Sequence, residues 1–174
     1  MIVDQKTYAQ ILIVEPTDFI FRNVYKQYEE MCPFMCFPGI VASNFRASLK
    51  EPEKIVLNKD VILLLSSYWA QLSTDEKKAV LDHELGHIAK GHLKEIAEKV
   101  KNGTLGSNPV SEVKEKEADA YSVDMNGKAA MHNGLLKAVD TMIDAYRKQG
   151  YIATLDKVLA QDPILRNRLK VLES

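Results

Sequence analysis

Apolar positions recur at helical spacing through the second half of the chain and fall into short blocks in the first. Ser73-Thr74-Asp75-Glu76 predicts a helix start: Ser73 and Glu76 have capping-box spacing, and the acids suit a helix N-terminus. The predicted helix runs to about Val100, with Leu81, Leu85, Ile88, His92 and Ile96 on one stripe. Asn102-Gly103 stops it, and Gly103 to Pro109 is expected to be a loop. Ser111 caps a second helix through about Asp124. A third, Lys128 to Gln149, places Leu135, Leu136, Val139, Met142, Ile143 and Tyr146 on its apolar face. Two short helices flank Asp162-Pro163.

The front of the chain is less regular. Residues 8–15 fit a short strand or the start of a helix. Thr17 can cap a helix to about Met31, with Phe19, Ile20, Val24 and Tyr28 at helical spacing. Residues 40–49 alternate weakly, and Ile55-Val56-Leu57 within Lys54 to Asn58 has strand character. Asp60 to Ala70 is expected to be a mostly apolar helix. These elements describe an α+β chain, mostly helical with a small β-sheet, forming one domain over residues 1–174.

Composition narrows the function classes. Twenty-three Lys and Arg against 24 Asp and Glu give a net charge of -1, which argues against nucleic-acid binding through bulk positive charge. No apolar run approaches a membrane span. Polar residues near Met1 and only two cysteines predict a cytoplasmic protein. Cys32 and Cys36 have no second cysteine pair with which to complete a zinc knuckle, and buried unpaired cysteines are their expected state.

The chemistry is concentrated in His83-Glu84-Leu85-Gly86-His87. An i, i+4 histidine pair inside a helix places both imidazoles on one face, within reach of one metal ion, and zinc suits such ligands. Glu84 lies beside the pair and is the expected general base, taking a proton from water that the metal acidifies. The third ligand defines the subclass. A metzincin needs histidine where this chain has Leu93. His92, five residues after His87, is a poor ligand from the same helix and is expected to be a partly buried, hydrogen-bonded histidine. Glu115 and Asp119 share a face of the next helix, so Glu115 is the expected ligand and Asp119 the acceptor that orients a zinc histidine. Glu117 is the fallback ligand. Gly86 and Gly91 weaken a helix, which suggests close approach of a neighbouring backbone, the sheet being one candidate.

The segment His83 to His92 resembles the active-site helix of the M48 peptidases, the Ste24/HtpX-like gluzincins. Leu72 to Leu81 is similar to that family's lead-in, Glu115 to Asp119 to its E-x-x-A-D, and Asp162 to Leu172 to its H-P-x-x-x-x-R-[IL]-x-x-L. Asn44 and Ile55-Val56-Leu57 loosely resemble its edge-strand segment, so the likeness covers about residues 44–172. It implies a zincin-like fold and a zinc-dependent endopeptidase acting on a protein or peptide whose backbone pairs with an edge strand within 54–58. The chain departs from the family in having no transmembrane helix and in carrying Asp162 where histidine is common. Arg168 matches the family arginine, which makes it a candidate catalytic residue at the oxyanion; a structural ion pair is its other reading. Tyr121, Tyr146, Tyr151 and His132 are further unranked donors. Two rival functions remain: a zinc-binding, peptidase-like regulator of one protein partner, and a non-catalytic interaction module.

Overall fold

The computed structural model describes residues 2–3, 10–15, 17–18, 39–42, 61–103 and 111–174. Four strands, β1 (Ile2–Val3), β2 (Gln10–Val14), β3 (Gly39–Ala42) and β4 (Val61–Leu65), form one sheet in the order β1-β2-β4-β3. β2 runs parallel to β4, pairing Ile11 with Ile62, whereas β1 and β3 are antiparallel to their neighbours. Seven helices follow among the described residues: α1 (Ser66–Trp69), α2 (Thr74–Ala89), α3 (His92–Lys101), α4 (Glu112–Asn126), α5 (Lys128–Lys148), α6 (Leu155–Gln161) and α7 (Pro163–Glu173). The expected α+β, mostly helical architecture with a small sheet is what the chain adopts.

Two expected elements differ. The apolar helix over 60–70 is strand β4 followed by the single turn α1. β4 is an inner strand, and Ile62, Leu63 and Leu64 are fully buried. A strand covered on both faces shows a continuous apolar run without alternation, which imitates a buried helix. The long helix to Val100 is two helices, because Lys90 closes α2 and Gly91 adopts φ 72°, the left-handed conformation open to glycine. The helix over 19–31, the strand segments over 43–49 and 54–58, Asn44 and the two cysteines lie outside the described residues.

Helix α2 separates two apolar clusters. Ile11, Ile62, Leu64, Tyr68, Leu72, Val80 and Leu85 pack around the sheet side. Ala79, Met131, Leu135, Val139, Ile143, Leu165 and Leu169 join α2, α5 and α7 on the other side. The predicted capping box fixes the start of α2: the Glu76 amide donates to Ser73 Oγ, and the Ser73 amide donates to Glu76 Oε2 at 2.7 Å. Lys137 of α5 also donates to Glu76, tying the cap to the second cluster. These contacts hold the H-E-x-x-H helix rigidly between two cores.

Candidate metal centre

Helix α4 crosses α2 at unusually close range, and Gly86 makes this possible. A Cβ at Gly86 would stand 3.1 Å from both Ala118 Cα and Tyr121 Cβ. The close neighbour is therefore the α4 backbone and not the sheet, while Gly91 has nothing within 4 Å of its Cβ position and serves the turn instead. Ser122 Oγ donates to the Ala79 carbonyl at 2.7 Å and fixes the same crossing. The Ser111 hydroxyl caps α4 by accepting from the Lys114 amide. This crossing brings Glu115 and Asp119 onto the histidine face of α2.

His83, His87 and Glu115, all buried, form the one group of possible metal-ligand residues found among the described residues. His83 Nε2 and His87 Nε2 are 3.2 Å apart. Glu115 Oε2 is 3.5 Å from His83 Nε2, and its Oε1 is 3.3 Å from His87 Nε2. Ligands at the usual distances round a tetrahedral zinc stand about 3.3–3.4 Å from one another. The two imidazole nitrogens and the Glu115 carboxylate, which meets each nitrogen with a different oxygen, thus stand at separations close to those round a zinc ion, and two imidazoles with one carboxylate are a donor set that zinc accepts.

The surrounding charges fix this arrangement. Asp119 Oδ1 lies 2.9 Å from His83 Nδ1, an electrostatic contact short of hydrogen-bond alignment. In the neutral ring, with the Nδ1 proton facing Asp119, the lone pair of His83 lies on Nε2, the atom that faces His87 and Glu115. Burial disfavours a charged His83, yet Asp119 and Glu115 outweigh it and push the metal-free imidazole up to about 10. Burial likewise opposes ionised carboxyls, but Arg168 and His83 hold Glu115 well below the usual range and Asp119 at about 2.

Arg168 is reached from α7 and is 4% exposed. Its Nε and one terminal nitrogen each donate to Asp119 at 2.8 Å, and the other terminal nitrogen lies 2.5 Å from Glu115 Oε2. All three guanidinium nitrogens therefore engage the two carboxylates. Of the two readings of Arg168, the structure shows the ion pair, with the guanidinium spanning two buried acids. Asp162 caps α7 by accepting from the Leu165 amide at 2.9 Å.

Glu84 is buried on α2 between the two histidines in sequence, and its charge, after burial itself, pushes the Tyr68 phenol up. Glu117 turns away from the three donors: half-exposed, it accepts from His92 Nε2 at 2.9 Å. His92 is buried as expected, but it opens α3 after the Gly91 turn and so returns toward His87, their Nδ1 atoms being 3.0 Å apart. Its approach to the centre was hidden because a continuous helix carries that position away from the metal face. The glycine one residue earlier was the available signal.

Compared with models of protein families, the chain matches the one described as "Putative phage metallopeptidase" over residues 39–147, more than half its length. No curated protein and no solved structure matches it. The matched span holds β3, β4 and the helices that carry His83, His87, Glu115 and Asp119. The chain belongs to this phage metallopeptidase family.

Proposed function

We propose that the protein is a zinc-dependent endopeptidase in which His83, His87 and Glu115 hold the metal and Glu84 handles the proton. The observation that carries this reading is the convergence of His83 Nε2, His87 Nε2 and the Glu115 carboxylate: the nitrogens are 3.2 Å apart, and each faces one carboxylate oxygen, at 3.5 and 3.3 Å. Membership of a metallopeptidase family supports a peptide bond as the target. Bound zinc supplies Lewis acidity, polarising a peptide carbonyl and acidifying water.

The chain's residues do the rest. His83 and His87 present Nε2 lone pairs on one face of α2, and Glu115 adds negative charge from α4. Asp119 orients the His83 ring, and Arg168 holds the carboxylates of Asp119 and Glu115 in place. The Glu84 carboxylate accepts the proton of the attacking water and delivers it to the leaving amine nitrogen. β3 is the last described strand on its side of the sheet and lies near α2, which supports a substrate backbone added along that side.

The H-E-L-G-H helix, Glu115 to Asp119 and the arginine of α7 support the finer M48-like, gluzincin assignment. No helix among the described residues is long and apolar enough to cross a membrane, so this reading is of a form without such a span. Equilibrium dialysis against zinc tests the ligand set. One zinc per chain, lost in His87→Ala and in Glu115→Ala, is expected; unchanged uptake by both variants contradicts the assignment.

A further inference from the structure

A second histidine stands behind a proposed metal ligand. His87 Nδ1 is 3.0 Å from His92 Nδ1, and His92 Nε2 is 2.9 Å from Glu117 Oε2. His92 is 4% exposed, and its ring meets that of His87 edge-on at 5.1 Å between centroids. The two rings therefore form a line from the half-exposed Glu117 to the centre of the site.

The direction of the hydrogen bonds follows from the chemistry of their ends. An ionised carboxylate only accepts, so the His92 Nε2 that faces Glu117 carries the proton. A neutral imidazole then has its lone pair on Nδ1. The His87 nitrogen opposite must be the donor, which leaves the lone pair of His87 on Nε2. That Nε2 is the atom facing His83 and Glu115. The reverse arrangement would put a proton on His87 Nε2 and aim it at His83 Nε2 and the Glu115 carboxylate.

We propose that His92 is a positioning residue for the metal centre, working as the middle of a Glu117–His92–His87 relay that fixes the metal-binding tautomer and ring orientation of His87. His83 has the equivalent support from Asp119, so each histidine of the H-E-x-x-H pair has its own backing group, a carboxylate for one and an imidazole anchored on a carboxylate for the other. The Gly91 turn is what makes the second possible, since it redirects the chain and places His92 back over α2. This inference rests on His87 being a ligand.

Two measurements test it. Long-range 15N–1H correlation spectra of the zinc-loaded and metal-free protein read the tautomers. The relay predicts Nδ1–H for His87 and Nε2–H for His92 in both forms; Nε2–H on His87 in either form overturns it. Competition with a chromophoric chelator reads zinc affinity. His92→Leu should weaken zinc binding by roughly 10–100-fold. His92→Gln, whose amide offers an acceptor to His87 and a donor to Glu117, should restore most of that loss. Wild-type affinity in His92→Leu overturns the proposal, as does a Gln variant no better than Leu at equal thermal stability. A wild-type protein that takes up no zinc instead overturns the ligand assignment of His87, while the metal-free spectrum still decides the relay.

Discussion

Arg168 grips Asp119 through two parallel hydrogen bonds of 2.8 Å, from α7 to α4, with both side chains buried. Because Asp119 faces His83, and because the same guanidinium also reaches Glu115, one residue near the end of the chain braces two of the acids around the centre. Removing it leaves two buried carboxylates short of a counter-charge. Arg168→Leu should therefore destabilise the protein by about 3–5 kcal/mol. Thermal unfolding checks this, with an expected fall in Tm of roughly 10 °C. A residue working at the oxyanion would instead leave Tm intact and lower kcat.

Asp119→Ala removes the group that faces His83 Nδ1. Zinc affinity should drop by roughly 10–100-fold, measured by chelator competition, since the ring loses its orienting acceptor. Asp119→Asn keeps an acceptor oxygen and should fall between that variant and wild type.

The helix crossing makes a contrast between two glycines. Gly86→Ala places a methyl group 3.1 Å from Ala118 Cα and 3.2 Å from its carbonyl oxygen, so α4 must shift. A cost of about 1–3 kcal/mol is expected, together with weaker metal binding, because the shift displaces Glu115. Gly91→Ala meets no atom within 4 Å but must hold φ 72°. It should cost about 1–2 kcal/mol through backbone strain alone. Denaturant unfolding with parallel zinc titration separates the two.

The metal-free protein should have a bounded range of maximal stability. Asp119 is held at about 2, below its ordinary 3.8, so its contribution is present above pH 3.8 and lost as pH falls through about 2. His83 is pushed up from 6.5 to about 10, so its contribution is complete below pH 6.5 and lost as pH rises through about 10. Urea midpoints across pH should show both flanks. Zinc binding needs the His83 lone pair, so zinc affinity should rise with pH as that proton is displaced.

Much of this site was legible because its signals are local. The capping of α2 by Ser73 and Glu76, the i, i+4 histidines and the paired Glu115 and Asp119 are helix-register facts, and register survives folding. What was hidden depends on contacts between distant segments. The apolar run of β4 imitates a helix because burial on both faces erases the alternation that marks a strand. His92 is buried and hydrogen-bonded as its pattern predicts, but its approach to His87 depends on one left-handed glycine that changes the path of the chain. Arg168 could be matched by position, but its two acidic partners lie 49 and 53 residues away in sequence, and only the packed helices reveal them.

The central claim is that Glu84 moves the proton in peptide hydrolysis at a centre held by His83, His87 and Glu115. Its most direct test is to incubate zinc-loaded wild type and Glu84→Gln with an unfolded protein and identify fragments by mass spectrometry, with zinc content measured on both. The account predicts one zinc per chain in each, fragments from wild type, and a rate at least 100-fold lower in the variant, the scale of a lost general base. Equal cleavage by the two zinc-loaded proteins would contradict it.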